Sequence, residues 1–167
     1  MDKVELGIII DSREQNPWDF CESLPSGVVI RNQCVDNLQC GDYSISGYDM
    51  PKDDYSVIIE RKSSLVELLG NIGSHWDRFT RELEIMSQYS TKLIVVEDDM
   101  RDALTRYQSD YGYNKYFNLN PDFILSRLSN IKVTYGIDTV FLSNRTFAIR
   151  YVANVFKHTV LRDWAND

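Results

Sequence analysis

Short apolar runs alternate with amphipathic stretches along the chain. Residues 4–10 are apolar and rich in β-branched side chains, which predicts a buried strand, and residues 27–31 predict a second, shorter strand. Residues 42–48 and 55–60 predict a hairpin, because the stretch between them includes Pro51 and three acids, as suits an exposed turn. Two further strands are predicted at residues 92–97 and 138–142.

Four helices are predicted between and after these strands. The first two begin with a serine followed three residues later by an acid, the pattern of a capping box: Ser64 with Glu67, and Ser74 with Asp77. Asn144 is a typical cap for the last helix. The predicted helices cover residues 64–70, about 74–90, 121–131 and 144–162. Strands alternating with helices predict a three-layer α/β domain, in which helices flank a central mixed β-sheet.

Length and composition predict one domain covering residues 1–167. The chain is 43% hydrophobic and 26% charged, which is ordinary for a globular protein, and it is long enough to bury a core without disulfides. Its three cysteines show no CxxC spacing, so they indicate neither a disulfide framework nor a zinc site and favour a reducing, cytoplasmic location. No apolar run approaches the roughly 20 residues of a membrane span, and the N-terminus does not resemble a signal peptide.

The charge balance restricts how the chain can meet nucleic acid. There are 18 basic and 25 acidic residues, giving a net charge of −7. Such a chain does not coat nucleic acid through bulk charge, although a local binding face remains compatible with this count. Carboxylates that bind metal ions would also contribute to the negative total.

Acids lie at the ends of the predicted strands. Asp11 and Glu14 follow the first strand, Asp42 begins the hairpin, and Glu60 ends its second arm. Because the arms of a hairpin run antiparallel, Asp42 and Glu60 can meet at one end, and Lys62 leaves the same face of the strand as Glu60. Paired carboxylates suit Mg²⁺ or Mn²⁺, and a neighbouring lysine can orient water or stabilise charge on a phosphate. The set therefore predicts metal-dependent phosphodiester hydrolysis.

Each of these signals also has a purely structural interpretation. An acid after a strand is usually a turn residue, and Glu-x-Lys within a strand is often a cross-strand ion pair. Their occurrence together, in this order and ahead of a helix, favours the functional interpretation.

Three strings in the chain, IIDSRE, CGDYSI and VIIERKSSLVELL, carry a resemblance that extends over about residues 4–160. They resemble the nuclease domain of the XPF family of structure-specific endonucleases, which carries DxRE, GD and ERKxxxD. The resemblance implies a restriction-endonuclease-like fold and Mg²⁺-dependent cleavage, with Mn²⁺ as a substitute. The expected substrate is branched, flapped or nicked DNA in repair, recombination or replication.

Matched positions then imply roles for individual residues. Asp42 and Glu60 are expected to be the main metal ligands, and Lys62 a base-like or electrostatic group. Asp11 and Glu14 are expected to support the metal or water, which makes Asp11 a third candidate ligand. The residues expected to contact DNA are Arg13, by resemblance, and the basic group Arg61, Arg78 and Arg81.

The chain departs from the family pattern in two respects. ERKxxxD would place an acid at position 66, where this chain has Val66. The next residue, Glu67, is rotated by about 100° on a helix, so it does not simply replace the missing acid and is expected to partner Ser64 in the capping box. The chain also has no room for the helicase-like or helix-hairpin-helix regions that such proteins often carry, which suggests a free-standing bacterial or viral form.

Two hypotheses remain for function and two for the C-terminal helix. The chain is either an active endonuclease or a catalytically silent DNA-binding or partner module, and retention of Asp42, Glu60 and Lys62 favours activity.

The broad apolar surface of the last helix, followed by Trp164, either covers the chain's own sheet or forms a homodimer, as the resemblance implies. The aromatic segment 107–120 either stacks on unpaired bases or packs on its own domain.

Overall fold

The computed structural model describes residues 3–51, 54–101 and 120–166. The strands are β1 (Val4–Asp11), β2 (Val28–Asp36), β3 (Tyr43–Ile45), β4 (Val57–Lys62), β5 (Thr91–Val96) and β6 (Asp138–Phe141). The α-helices in the described ranges are α1 (Leu65–Ile72), α2 (Trp76–Met86), α3 (Pro121–Tyr135) and α4 (Arg145–Trp164). The predicted aromatic segment lies outside the described residues except for Asn120.

The six strands form one mixed sheet in the order β2-β1-β3-β4-β5-β6. β3 is antiparallel to both β1 and β4, whereas β1 pairs parallel with β2, and β4, β5 and β6 are parallel to one another. β3 therefore runs opposite to the other five strands. As a result, the ends of β1, β4 and β5 and the start of β3 meet at one edge of the sheet, which we call the carboxyl edge.

Helices cover both faces of this sheet. Alternate residues of β4 point to opposite sides: Val57 and Ile59 join a core closed by α4, and Ile58 joins a core closed by α1, α2 and α3. The predicted three-layer α/β fold with a central mixed sheet is confirmed. None of the described helices is long and apolar enough to cross a membrane.

Helix boundaries show where local patterns succeed. Ser64 caps α1 by accepting a hydrogen bond from the Glu67 backbone N–H, as predicted. The predicted Ser74 cap is wrong: α2 begins after His75, which makes no side-chain capping bond. The His75 N–H instead bonds to the carbonyl of Gly70, so backbone groups close the connection from α1 to α2.

The other ends of the predicted helices also shift. α2 stops at Met86 instead of near Ser90. Ser90 lies just before β5 and forms two hydrogen bonds with Ser56, which lies just before β4, so Ser90 belongs to the sheet connection and not to the helix. α3 extends to Tyr135, four residues beyond its predicted end. It stops at Gly136, whose φ of 68° is readily adopted only without a Cβ.

Candidate active site

A tight turn delivers Asp42 to the carboxyl edge. The preceding Gly41 has a φ of 69°, and a Cβ there would lie 2.9 Å from the carbonyl oxygen of Ile59. Only glycine fits this position, which is the physical reason for the Gly-Asp pair. The Asp42 N–H donates to that same carbonyl, and the Asp42 carbonyl accepts from the Asp11 N–H, both at 2.8 Å. The backbone of Asp42 thus joins β4 to β1.

Asp42 and Glu60 form a poorly compensated acidic pair. Burial, followed by the charge of Glu60, raises the pKa of Asp42 from 3.8 to about 8. Burial also raises the pKa of Glu60, although Lys62 opposes the shift. One oxygen of Asp42 accepts from the Arg61 N–H at 2.7 Å. The other has no hydrogen-bond partner in the described part of the chain.

Lys62 is held against Glu60 as the strand spacing predicts. Its Nζ lies 2.6 Å from a Glu60 oxygen, 3.8 Å from a Glu67 oxygen and 5.2 Å from the centre of the Phe79 ring. Burial alone would lower the pKa of Lys62, but the ion pair with Glu60 outweighs it and the pKa is raised. A lysine that stays protonated at neutral pH is suited to the electrostatic role and not to that of a base.

Asp11 faces Arg13 and lies apart from the other acids. Arg13 binds the two Asp11 oxygens at 2.6 and 3.0 Å, and the Leu38 N–H donates to one of them at 2.9 Å. Burial would raise the pKa of Asp11, but these hydrogen bonds lower it. Asp11 therefore orients Arg13, and the structure does not bring it together with Asp42 and Glu60 as a three-carboxylate group.

The side chain of Arg61, which was predicted to contact DNA, is buried and connects two loops through its hydrogen bonds. Only 6% of its surface is exposed, because its Nε bonds to Glu97 at 2.6 Å and its guanidinium lies 3.3 Å from Glu14. Glu97 also accepts from the indole N–H of Trp18. Glu97 and Trp18 were missed as site residues, and the available signal was that Glu97 ends the predicted strand 92–97.

These residues surround an open cleft of about 330 Å³ at the carboxyl edge. Asp42, Glu60 and Arg13 contribute to its wall, whereas Asp11 and Lys62 do not. The remaining lining residues are Glu14, Gln15, Asn16, Arg61, Ser63 and Glu67. Sequence reasoning missed Gln15, Asn16 and Ser63 and gave Glu67 a capping role only. Glu67 does help to cap α1, but its carboxylate accepts a hydrogen bond from the Ser63 N–H, at 2.9 Å, instead of from the expected Ser64 N–H.

The predicted DNA contacts on α2 lie at the surface. Arg78 and Arg81 are both exposed, and Arg78 forms an ion pair of 3.4 Å with Glu82 on the next helical turn. α2 packs close to the cleft, because its Phe79 ring contacts Lys62. Both arginines are therefore placed on an element beside the site.

The donor set of the cleft fits a divalent cation. Within residues 3–51, 54–101 and 120–166, no three His, Cys, Asp or Glu side chains are grouped to hold a metal. Mg²⁺, however, is usually held by one or two carboxylates together with water and substrate phosphate. Asp42 and Glu60 offer two such carboxylates; burial first, and neighbouring acids second, raise their pKa values, and a bound cation would favour the ionised forms.

Fold and site together define a class. A three-layer domain whose acids and lysine gather at the carboxyl edge of a mixed sheet is a restriction-endonuclease-like α/β domain. The chain belongs to the ERCC4 domain family, whose model matches residues 10–155. The resemblance to the XPF family is confirmed.

Two solved structures illustrate the likeness in fold. XPF from Aeropyrum pernix superposes with a TM-score of 0.62 at 18% identity, covering 95% of this chain and 69% of that one. XPF from the same organism in complex with DNA gives 0.56 at 17% identity, covering 96% and 66%. The chain thus spans about two thirds of the length of those proteins. A search of curated proteins gave no significant match.

Proposed function

We propose that the chain is a metal-dependent DNA endonuclease that hydrolyses phosphodiester bonds in branched, flapped or nicked DNA. The observation that carries the proposal is the under-compensated Asp42–Glu60 pair beside a protonated lysine, in an open cleft of an ERCC4-family domain. The likeness in fold to Aeropyrum pernix XPF in complex with DNA supports DNA as the substrate class. A role in DNA repair or recombination and a cytoplasmic location belong to the same proposal.

The contacts of each cleft residue support a separate role for it in the proposed reaction. Asp42 and Glu60 would hold Mg²⁺ or Mn²⁺, which supplies Lewis-acid stabilisation of the phosphate and activation of water. Lys62 fixes the Glu60 carboxylate through its bond of 2.6 Å and adds positive charge next to the cleft. Arg13 uses Nε and Nη2 to bind Asp11 and the Leu38 carbonyl, its Nη1 has no hydrogen-bond partner among the described residues, and the side chain lines the cleft where a phosphate would enter.

Cleavage assays with matched variants test this proposal. Purified protein with Mg²⁺ is incubated with labelled flap, fork, four-way-junction, nicked, single-stranded and linear duplex DNA. Asp42→Asn, Glu60→Gln and Lys62→Ala should each lower cleavage at least about a hundredfold while DNA binding persists. Glu84→Gln removes an acid from an exposed position on α2 and is the matched control. Variants of the three site residues that cut at the wild-type rate would refute the assignment.

A catalytically silent DNA-binding or partner module is the second candidate. The observation in its favour is Val66, a half-buried apolar residue where the family pattern carries an acid. Binding of branched DNA without cleavage in Mg²⁺ or Mn²⁺ would identify such a module. Restoration of cleavage by Val66→Asp would then show that position 66 is the cause.

We also propose that the chain forms a homodimer through α4. Phe147 and Tyr151 lie one helical turn apart and expose 57% and 38% of their surface, and Trp164, on another face near the end of the helix, exposes 50%. The predicted apolar surface was broader, but Phe156 is fully buried in the chain's own core. Light scattering should give twice the chain mass of 19.4 kDa, and Trp164→Glu should shift the protein to monomer. A monomeric wild-type protein would refute the dimer.

A further inference from the structure

Arg127 on α3 is held between two aromatic rings. Its Cζ lies 4.0 Å from the centre of the Trp76 ring and 5.0 Å from that of Phe123. Its Nε is buried without a hydrogen-bond partner, and no carboxylate of the described residues pairs with the guanidinium. Both distances lie within the range of cation–π contacts, and a guanidinium donates its hydrogen bonds from its N–H groups.

Several other cations of this acidic chain do have carboxylate partners. Four cations in or beside the cleft are each compensated: Arg13 by Asp11, Arg61 by Glu97, Lys62 by Glu60 and Arg78 by Glu82. Arg127 is instead fixed by packing alone, which leaves its charge available to an anion. A guanidinium held rigidly in this way loses little side-chain entropy when it binds a phosphate.

Side-chain contacts connect Arg127 to Lys62, the lysine next to the cleft. A series of contacts leads from Lys62 Nζ to the Phe79 ring, then to Trp76 and then to Arg127, over 5.2, 6.5 and 4.0 Å. The guanidinium is therefore no more than about 16 Å from Lys62. α3 ends beside the start of β6, so its first turns, which carry Phe123 and Arg127, lie toward the carboxyl edge.

We infer that Arg127 binds a backbone phosphate of DNA, on the strand that extends from the cleft across α2 and α3. The inference rests on the proposed function and adds a contact outside the cleft. At roughly 3.4 Å per nucleotide step, the distance to Lys62 corresponds to at most about five nucleotides. Trp76 and Phe123 position the guanidinium through the two ring contacts, and since Nε is buried the phosphate would bind at the two terminal Nη groups. The competing interpretation is that Arg127 only fastens α2 to α3 by cation–π packing.

Salt-dependent DNA binding separates these interpretations. Anisotropy of a labelled flap DNA is measured between about 0.05 and 0.3 M salt in the Glu60→Gln background, so that the DNA stays intact. One phosphate contact contributes about 0.7 to 0.9 to the slope of log K against log salt. R127Q should therefore lower the slope by that amount and weaken binding about fivefold to eightfold at about 0.1 M salt. R127K keeps the charge and should keep most of the slope.

Lys132→Gln is the matched control. It removes one positive charge from the other end of α3, where Lys132 pairs with Asp138 at 2.6 Å, and it should leave the slope unchanged. The folded fractions of R127Q and its parent are measured by circular dichroism at each salt concentration, so that a salt-dependent loss of stability is not mistaken for a lost phosphate contact. If the parent protein binds DNA and R127Q has the same slope, the inference about Arg127 is overturned, and the proposed function is not affected. A parent protein that binds none of the DNAs overturns the proposed function as well.

Discussion

Replacing Asp42 by asparagine should stabilise the fold while abolishing cleavage. Asp42 has a pKa of about 8 in the folded protein, against 3.8 for an ordinary aspartate, because it is buried beside Glu60. Between those two values the folded state binds more protons than the unfolded state, so stability falls as pH rises from about 4 to about 8. The asparagine carries no charge and should not share this loss.

The magnitude follows from the size of the pKa change. A rise from 3.8 to about 8 corresponds to an upper limit of about 6 kcal/mol in the free energy of unfolding at high pH. Glu60 shares the same repulsion and the cleft admits water, so we expect about 2–3 kcal/mol at about pH 8.5. The side-chain oxygen of the introduced asparagine can still accept the hydrogen bond from the Arg61 N–H, which keeps the turn intact.

Urea unfolding at about pH 5, 7 and 8.5 without divalent ions measures the effect. The wild type should lose stability across this range, whereas Asp42→Asn should lose less and be the more stable protein at the highest pH. Asp54→Asn removes a charge from an exposed position and should behave like the wild type. Excess Mg²⁺ should stabilise the wild type, by about 2.7 kcal/mol at about a hundred times Kd, and the variant less. Equal stability of wild type and Asp42→Asn at the highest pH would refute the electrostatic argument.

Three further predictions concern the cleft and its supports. Val66→Asp should change the cleavage rate of an active wild type by less than about tenfold, which quenched-flow assays can resolve. Glu97→Gln removes the main partner of buried Arg61 and should cost about 2–3 kcal/mol in urea unfolding, since Glu14 remains 3.3 Å away. Mg²⁺ or Mn²⁺ should support cleavage and Ca²⁺ almost none, and robust cleavage in EDTA would contradict a metal mechanism.

The fold class was predictable because the strands are apolar runs that alternate with amphipathic helices, whereas the order of the strands in the sheet was not predicted. Site residues were predictable where strand periodicity decides their direction, as for Glu60 and Lys62, which meet at 2.6 Å. The burial of Arg61 was not predictable from the sequence. A charged triplet such as Glu-Arg-Lys is typical of an exposed segment, yet all three residues are buried here.

The reason lies in partners that come from distant parts of the chain. Arg61 is satisfied by Glu97, 36 residues away, and by the loop after β1. No local pattern reveals such a pairing, because it depends on which strands become neighbours. Asp11 could be placed at the correct edge of the sheet, while its hydrogen bond with the Leu38 N–H, 27 residues away, could not be foreseen for the same reason.

Because the backbone of Asp42 is hydrogen-bonded to two central strands, the geometry of the site depends on the stability of the whole sheet. Its N–H and carbonyl bridge β4 and β1, so the amides of Asp11, Asp42 and Arg61 all lie in hydrogen bonds among the central strands. Local fluctuations that open a surface loop leave these bonds intact. In deuterium oxide, these three amides should exchange only through global unfolding and report the same free energy as urea. A site built in this way loses its acidic pair only when the protein loses its fold.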